Sequence, residues 1–500
     1  MPLTFALSPF LIIGVGAMLL MLAEAFSGAS RAPGAAPRHG LALGSTIVFG
    51  TAGSFAAAVW LVGVDGIEGL DSIAPWLIID RFTLFFVALL CLGGALAALL
   101  AGGYLPEHNL DRGEFYSLLL FATFGAMMLA AAGDVLTLFL GLETMSIGAY
   151  AMTAFRRASA KSAEAGLKYF LLGSFAAALL LFGFALLYGV TGHTDLVGIG
   201  AAIKSGAAKG PVVIVSMVLI LAGLLFKVSA VPFHMWTPDA YEGAPTPGTT
   251  YMAVAVKSGG FAMMLRVLLT SFGDPGSMSW ASGWPPVLAW VAVLTMTVAN
   301  LVAGRQESVK RMLAYSSVAH AGYILVGVVA CMRSTSAGAS SVLFYLLAYT
   351  VSTAGAFGAL ILCGRRGAEA VSYEDLAGIG RRHPAAALPF ALFLVSLAGV
   401  PPTAGFFGKW FIFRAAMDGG FYWLTLIAFV NSVIGAYYYL RVLVYLYMRE
   451  PAAGAPVAVP MRSGYVAAAL LVSAILVLVL GLMPAGSLDV AVQAAGAFGG

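Results

Sequence analysis

Long apolar runs alternate with short polar segments along almost the whole chain. A transmembrane helix needs about 20 apolar residues to cross a hydrocarbon core of about 30 Å, and fourteen runs are candidates. Their approximate bounds are 7–27, 40–62, 80–103, 115–132, 135–155, 165–190, 211–243, 246–271, 285–303, 313–331, 340–362, 385–417, 421–447 and 463–483. The runs are continuous and lack the period-two alternation of a membrane β-strand. The pattern predicts an all-α integral membrane protein with about fourteen transmembrane helices.

Composition agrees with a location in the lipid bilayer. Hydrophobic residues make up 61% of the 500 residues and charged residues only 10%, with a mean hydropathy of +0.95. So few polar side chains cannot cover the surface of a soluble fold of this size. The net charge of +4 is small, and it gives no reason to expect binding to nucleic acid.

Two of the apolar runs, 211–243 and 385–417, are too long for one straight membrane helix and contain prolines. Proline removes a backbone hydrogen-bond donor, so both runs are predicted to be broken helices. Lys227 precedes Pro232 in the first run, whereas Lys409 follows the prolines of the second. This reversed order is expected of two repeats of opposite orientation, and transporters are often built from such repeats.

The repeats divide the chain into four predicted parts. Residues 1–110 form an N-terminal three-helix segment, 111–275 the first five-helix repeat, 276–450 the second, inverted repeat, and 451–500 contain the last membrane helix. Each repeat contains one broken helix. About fifteen of the basic residues lie in loops on one side of the predicted bundle, and basic loops usually face the cytoplasm. Both termini are therefore predicted on the periplasmic side.

Five charged residues lie inside the apolar runs: Glu143, Lys168, Lys227, Lys257 and Lys409. A charged side chain at the centre of a bilayer costs about 3 kcal/mol on insertion scales. Such residues need partners, water or a function that uses their charge. Glu143 lies about 13 Å inside its run, at a rise of 1.5 Å per residue. Because a buried lysine can exchange protons near neutral pH, a Glu143–Lys227 pair is a candidate proton switch.

Each of these residues also has a static interpretation. The glutamate and the deep lysines could form ion pairs that only fix helix packing, and Lys168 is close enough to the end of its run to extend to the interface. His234 stands at the first predicted helix break, where it could relay protons or cap free backbone groups. His320 follows the hydroxyl residues of AYSS, and it is either a relay residue or an ordinary buried histidine.

The sequence gives no sign of a redox centre. The three cysteines, Cys91, Cys331 and Cys363, form no CxxC pair, so they indicate no iron–sulfur cluster, zinc site or disulfide. Neither a dinucleotide-binding glycine motif nor a Walker motif is present, and the six histidines are scattered. No cofactor is predicted in this chain, and any redox chemistry is expected in a partner.

Several motifs resemble one family of membrane proteins. They are VPFHMWTPDAYEGAPTP, VKRMLAYSSVAHAGYILVG, GVPPTAGFFGKW, LGLETMSIGAYAM and VKSGGFAMMLR. With them the chain resembles the antiporter-like subunits of the bacterial proton-pumping NADH-quinone oxidoreductase, respiratory complex I, and among these subunit N. The resemblance covers nearly the whole chain. The lysine in GFFGKW distinguishes it from subunit M, which has a glutamate at that place.

The resemblance implies a proton route through the membrane arm of that complex. It assigns proton transfer to Glu143, Lys227, Lys257 and Lys409, with Lys168, His234 and His320 as supporting relay residues. It also implies that NADH, FMN, iron–sulfur clusters and quinone are bound by partner subunits. The expected partners are other membrane subunits, especially subunit M and the small subunit K, in the bacterial inner membrane.

Two other functions share parts of this pattern. An Mrp-type cation/proton antiporter subunit has the same fold, and it would couple proton movement to sodium flux. A structural membrane scaffold would use the buried charges only for assembly. For a scaffold, replacement of Lys227 by alanine lowers the abundance of the complex but leaves the activity of each assembled complex intact.

Overall fold

The structure, a computed structural model, describes residues 2–26, 39–364, 369–451, 460–461 and 463–498. These residues are mostly helical and contain no β-strand beyond isolated bridges. The α-helices are α1 Leu3–Phe26, α2 His39–Val62, α3 Arg81–Glu107, α4 Glu114–Ala131, α5 Val135–Thr153, α6 Ala160–Thr191, α7 Leu196–Ser205, α8 Pro211–Lys227, α9 Trp236–Gly243, α10 Thr246–Tyr251, α11 Lys257–Thr270, α12 Trp284–Ala303, α13 Val309–Ala330, α14 Thr335–Leu362, α15 Ile379–Arg382, α16 Pro384–Ala398, α17 Ala404–Asp418, α18 Tyr422–Tyr447, α19 Gly464–Leu482 and α20 Pro484–Ala495.

Twelve helices within the described ranges are long and apolar enough to cross a membrane. One of them, Thr246–Thr270, consists of α10, a π-helical turn at Met252–Val256, and α11. The predicted all-α, multi-pass membrane fold is therefore confirmed. The two other predicted spans are the proline-containing runs, whose halves are each too short to cross alone. The total of fourteen spans, the inverted repeats and the four-part division stay predictions.

The first long run breaks after Lys227, the last residue of α8, and helix resumes at Trp236. Within the break, Ser229 has a left-handed backbone with a φ of 63°, and the Val231–Pro232 peptide bond is cis. The chain thus leaves helical geometry just before the proline, where a backbone donor is missing. Helix α9 then runs for only eight residues.

The second long run breaks after Ala398, the last residue of α16. Gly399 follows with a φ of 87°, a left-handed conformation that glycine adopts at helix ends without steric cost. The Pro401–Pro402 peptide bond is cis, and α17 begins at Ala404. Each of the two long runs therefore has the break that its prolines predicted.

Burial separates central helices from peripheral ones. In the membrane-spanning parts of Thr246–Thr270 and α13, 94% of the residues are buried, compared with 28% in α2 and 33% in α18. The two central helices contain Lys257 and His320. These polar side chains therefore lie in the middle of the bundle, and the peripheral helices separate them from the lipid.

Candidate functional site

Lys227 is buried at the C-terminal end of α8, with 2% of its surface exposed. Its Nζ donates a hydrogen bond of 2.6 Å to Ser146 Oγ on α5, and Ser146 donates in turn to the Leu142 carbonyl. The same Nζ lies 5.6 Å from the ring centre of Tyr150 and 6.0 Å from that of Tyr169. A hydroxyl and aromatic rings thus take the place of water around this ammonium group.

Glu143 lies on α5, three residues before Ser146, but it does not pair directly with Lys227. Among the described residues, Nζ of Lys227 has Ser146 Oγ as its hydrogen-bond partner and no carboxylate within ion-pair distance. Glu143 is half-buried. It shares its helix face with Leu140 and Ile147, which are 59% and 58% exposed. The carboxylate therefore lies at the apolar surface of this chain.

Lys257 follows the π-helical turn and is equally buried. Its Nζ donates to the Ser317 hydroxyl and to the Ser317 carbonyl, both at 2.5 Å. The hydroxyl of Tyr349 donates to the same Ser317 Oγ at 2.8 Å, and Tyr241 Oη lies 3.4 Å from it. Ser317 is thus a junction between α9, α11, α13 and α14. Turns of π-helix occur frequently at functional sites.

His320 is buried one turn beyond Ser317 on α13. Its Nδ1 lies 2.6 Å from Tyr345 Oη, and its Nε2 lies 3.0 Å from Tyr439 Oη. A cavity of about 10 Å³ adjoins its ring and reaches Ser352 and Ser396, which is near the smallest space that holds one water molecule. Both ring nitrogens therefore have a hydroxyl neighbour through which a proton can move.

Lys409 lies in α17 and bridges the second helix break. Its Nζ donates to the Ala398 carbonyl and to Ser432 Oγ, both at 2.8 Å. The Tyr323 ring centre is 5.2 Å from this Nζ and 5.9 Å from the His320 ring centre. On its other side, Lys409 lines an apolar groove of about 790 Å³ between α17 and α18. Tyr349 bonds to Ser317, and its ring centre lies 5.1 Å from that of His320, so polar and aromatic side chains together form a contiguous row from Ser317 to this groove.

His234 and Lys168 lie apart from that row. His234 is half-buried in the first helix break, 6.5 Å between ring centres from Tyr315. Its Nδ1 has no hydrogen-bond partner within the described part of the chain. Lys168 pairs with Glu164 at 2.7 Å and with Asp239 at 3.0 Å. Lys168 thus takes part in an ion network, although its side chain is 47% exposed, and its role as a relay residue stays a prediction.

That ion network contains residues that sequence reasoning missed. Arg311 pairs with both Asp239 and Glu242 at 2.9 Å, and Lys161 pairs with Glu242 at 2.9 Å. Asp239 and Glu242 are three residues apart on α9, a spacing that places both carboxylates on one helix face. This spacing was a usable signal, because two carboxylates on one face of a short helix within an apolar run need cationic partners.

A second ion pair, whose carboxylate partner the sequence did not identify, lies at the opposite end of the bundle. Arg266 on α11 is 3% exposed, and its guanidinium donates to Asp80 at 2.7 and 3.0 Å. It also donates to the Thr83 hydroxyl and to the Ala130 carbonyl, each at 3.0 Å. Such a two-pronged ion pair fixes the orientation of both partners. It ties α11 to α3 and α4.

In the described part of the chain, no group of three or more His, Cys, Asp or Glu side chains is placed to hold a metal ion. Cys91, Cys331 and Cys363 are free and buried. The predicted absence of a cofactor from this chain stays a prediction.

Broken helices with buried lysines beside them are features of ion-translocating membrane proteins, and comparisons with known proteins agree. The family described as "NADH:quinone oxidoreductase/Mrp antiporter, TM" matches residues 132–435. NADH-quinone oxidoreductase subunit N 1 of Sorangium cellulosum is 67% identical over 496 residues, which is 98% of each chain. This chain belongs to the subunit N family of NADH-quinone oxidoreductase, and the predicted resemblance is confirmed.

Two solved structures extend the comparison. A chain of respiratory complex I from Thermus thermophilus is 32% identical, with 96% of this chain and 98% of that chain covered and a TM-score of 0.77. A chain of the Mrp complex from Dietzia is 24% identical, with 99% and 97% covered and a TM-score of 0.84. At that lower identity, the likeness to the Mrp complex shows the fold alone.

Proposed function

We propose that this chain moves protons across the bacterial inner membrane as a membrane-arm subunit of NADH-quinone oxidoreductase. One observation carries the proposal: Lys227 and Lys257 are each 2% exposed and donate to serine hydroxyls. A carboxylate partner would hold a buried lysine in its charged form, whereas a hydroxyl partner leaves it able to release a proton. These lysines therefore suit proton exchange better than permanent ion pairing.

The proposed route passes Glu143, Lys227, Lys257, His320 and Lys409. Its second half is supported by direct contacts, because Ser317, His320 and the tyrosines between them form the contiguous row described above. Its first half is supported by packing. A Cβ added at Gly260, three residues after Lys257, would lie 3.4 Å from the Lys227 Cβ, so the backbones that carry the two lysines are in contact. Lys168 and His234 are proposed as supporting residues.

Two surfaces suit contacts with neighbouring subunits. The α5 face carries the carboxylate of Glu143 among exposed apolar side chains, and a carboxylate is costly beside lipid. The groove between α17 and α18 exposes Trp410 and Trp423, at 52% and 78%. We assign these surfaces to contacts with other membrane subunits, such as subunit M and the small subunit K.

The resemblance to subunit N extends the proposal to the whole complex. NADH oxidation and quinone reduction take place in other subunits, which hold NADH, FMN, iron–sulfur clusters and quinone. This chain is then a subunit of a proton-translocating enzyme without a redox centre of its own. The proposal retains the four-part division at residues 110, 275 and 450, with both termini on the periplasmic side.

The likeness to the Mrp complex favours one alternative, a cation/proton antiporter subunit. Sodium-dependent proton movement in vesicles that lack NADH would support that alternative. The higher identity over nearly the whole chain to a subunit N relative favours the main proposal. A structural scaffold is the third candidate, and the experiment below separates it from both.

The first experiment replaces Lys227 by alanine in the complete complex. Proton pumping and NADH-quinone reductase activity are measured in membranes, and assembly is checked on a native gel. Loss of pumping or of coupled turnover in a fully assembled complex supports the proposal. Intact pumping and turnover would reject it and leave the buried charges as structural groups. The control is Lys204→Ala, because Lys204 is an exposed lysine on α7.

A further inference from the structure

A buried charged cluster surrounds Glu369, which follows α14 in the chain. The Glu369 side chain is 14% exposed, and it pairs with Arg156 at 2.9 Å and with the fully buried Lys310 at 3.3 Å. Its Oε1 also accepts hydrogen bonds from the Thr246 hydroxyl, at 2.5 Å, and from the Tyr104 hydroxyl. Four separate parts of the chain therefore meet at one carboxylate: α3, the α5–α6 connection, α10 and α13.

The carboxylate of Glu369 is held in its charged form. Burial alone raises the pKa of a carboxyl group, but Lys310, Arg156 and the two hydroxyls outweigh burial and lower the pKa of Glu369 from 4.5 to about 2. A buried ion pair is weak evidence for stability, because desolvation offsets much of the attraction. The role of the cluster therefore follows from the helices that it holds in place, and not from the stability of its ion pairs.

The cluster holds the junction between α9 and α10. Lys310 Nζ donates to the carbonyl of Ala244 at 2.7 Å, and Ala244 is the residue that follows α9. Thr246, whose hydroxyl donates to Glu369, is the first residue of α10. Glu369 thus fixes the start of α10 directly, and it fixes the end of α9 through Lys310.

Two of the helices fixed in this way, α9 and α13, also meet at Ser317, and α10 continues through the π-helical turn into α11. Tyr241 on α9 approaches the Ser317 hydroxyl, and Lys257, at the start of α11, donates to it. Lys310 and Ser317 lie on the same helix, seven residues and therefore about 10 Å apart along α13. A shift of the Glu369 cluster would therefore change the geometry around Lys257.

We propose that Glu369 is a positioning residue for the proton route, because its carboxylate fixes α9, α10 and α13 so that Lys257 stays bonded to Ser317. This inference rests on the proposed function. A simple fastening role makes a different prediction. If Glu369 only fastened the bundle, its loss would lower the amount of assembled complex but leave the pumping of each assembled complex unchanged.

The test uses the complete complex in proteoliposomes with the variant Glu369→Gln, which keeps the side-chain size and removes the charge. Pumping is measured as protons moved per assembled complex and per NADH oxidised. Displacement of a reacting group by 1 Å can cost about a hundredfold in rate, so we expect a fall in pumping rate of about tenfold. The matched control is Glu374→Gln in the same connection, because Glu374 is exposed.

A second variant covers failure of Glu369→Gln to assemble. Thr246→Val removes one hydroxyl donor from the carboxylate and leaves every charge in place, so the complex is expected to assemble with a smaller loss of pumping. Normal pumping per assembled complex in Glu369→Gln, or in Thr246→Val if the first variant does not assemble, would overturn the inference. Reduced pumping with normal assembly supports it.

The variant Lys257→Gln separates this inference from the proposed function. If Lys257→Gln abolishes pumping while Glu369→Gln leaves it normal, only the positioning role of Glu369 is rejected. If Lys257→Gln also pumps normally, the proposed function itself is rejected, and the inference falls with it.

Discussion

The two broken helices both bring a lysine to the end of a half-helix, but from opposite directions along the chain. Lys227 is the last residue of α8 itself. Lys409 belongs to α17, after the break, and its ammonium group returns to the carbonyl of Ala398, the last residue of α16. The C-terminal end of a helix carries a partial negative charge, which favours a nearby cation. In both breaks a lysine thus lies near the C-terminal end of a half-helix, although it precedes the break in one run and follows the break in the other.

The two helix ends differ in which groups satisfy their carbonyls. At the end of α8, backbone N–H groups and the Trp236 indole take the carbonyls, and Trp236 Nε1 donates to Phe226 at 3.1 Å. Lys227 is therefore free to reach Ser146 on another helix. At the end of α16, Lys409 itself donates to Ala398. Under the proposed function, Lys227 would act mainly in proton transfer, whereas Lys409 would act both in proton transfer and in the structure of the break.

The largest expected effect separates these two contributions. Lys227→Met and Lys409→Met should each lower proton pumping at least about a hundredfold, since methionine cannot carry a proton. Only Lys409→Met should also lower the free energy of unfolding of the complex, by about 1–3 kcal/mol, because this variant leaves the buried Ala398 carbonyl unpaired. Pumping assays and thermal unfolding of the assembled complex measure the two effects. Equal stability losses in both variants would contradict the proposed difference.

The lysines were predictable from the sequence, but their hydrogen-bond partners were not. Lys227 and Lys409 are conspicuous because they interrupt apolar runs beside prolines, and those prolines also marked the two breaks. Ser146 is 81 residues from Lys227 in the chain, and a serine within a membrane helix carries no pattern that identifies its partner. Glu369 stands in a connection rich in charged residues, where nothing shows which one is buried. Tertiary packing determined these partners, and local sequence did not.

A smaller effect is expected from the hydroxyl partners of the two lysines. A hydrogen bond to a charged group contributes about 1.5–3 kcal/mol. Ser146→Ala removes the hydrogen-bond acceptor that Lys227 has among the described residues, so pumping should fall about tenfold, which corresponds to the lower end of that range. Ser432→Ala leaves Lys409 bonded to the Ala398 carbonyl, so this variant should lower proton pumping about twofold or less. Pumping per assembled complex measures both, and a larger effect of Ser432→Ala would reverse the ranking of the two sites.

A pH effect should distinguish the half-helices that follow the breaks. The pKa of Glu369 is lowered from 4.5 to about 2, so its contribution to stability is complete above pH 4.5 and is lost as the pH falls towards 2. That contribution, at most about 3 kcal/mol by the size of the shift, acts on the α9–α10 junction and not on α17.

Amide hydrogen exchange of the assembled complex, corrected for intrinsic rates, tests this pH effect. Protection of residues 236–251 should fall below pH 4.5 more than protection of residues 404–418. Protonation would also weaken the ion pairs that Arg311 forms with Asp239 and Glu242 on α9. The relevant quantity is therefore the part of the fall that disappears in Glu369→Gln. If Glu369→Gln shows the same acid-dependent fall as the unchanged protein, Glu369 does not stabilise this junction.

The smallest effect is expected at the end of α17. Arg414 and Asp418 form an ion pair there at 3.6 Å, but their side chains are 67% and 70% exposed. Exposed pairs at this helical spacing typically contribute about 0.3–0.5 kcal/mol, in contrast with the shielded Lys310–Glu369 pair near the end of α9. Asp418→Asn should therefore leave the pumping rate unchanged and shift the thermal midpoint of the complex very little. A loss of pumping as large as that of Glu369→Gln would show that both half-helices depend on an ion pair at their ends, and the contrast between them would be lost.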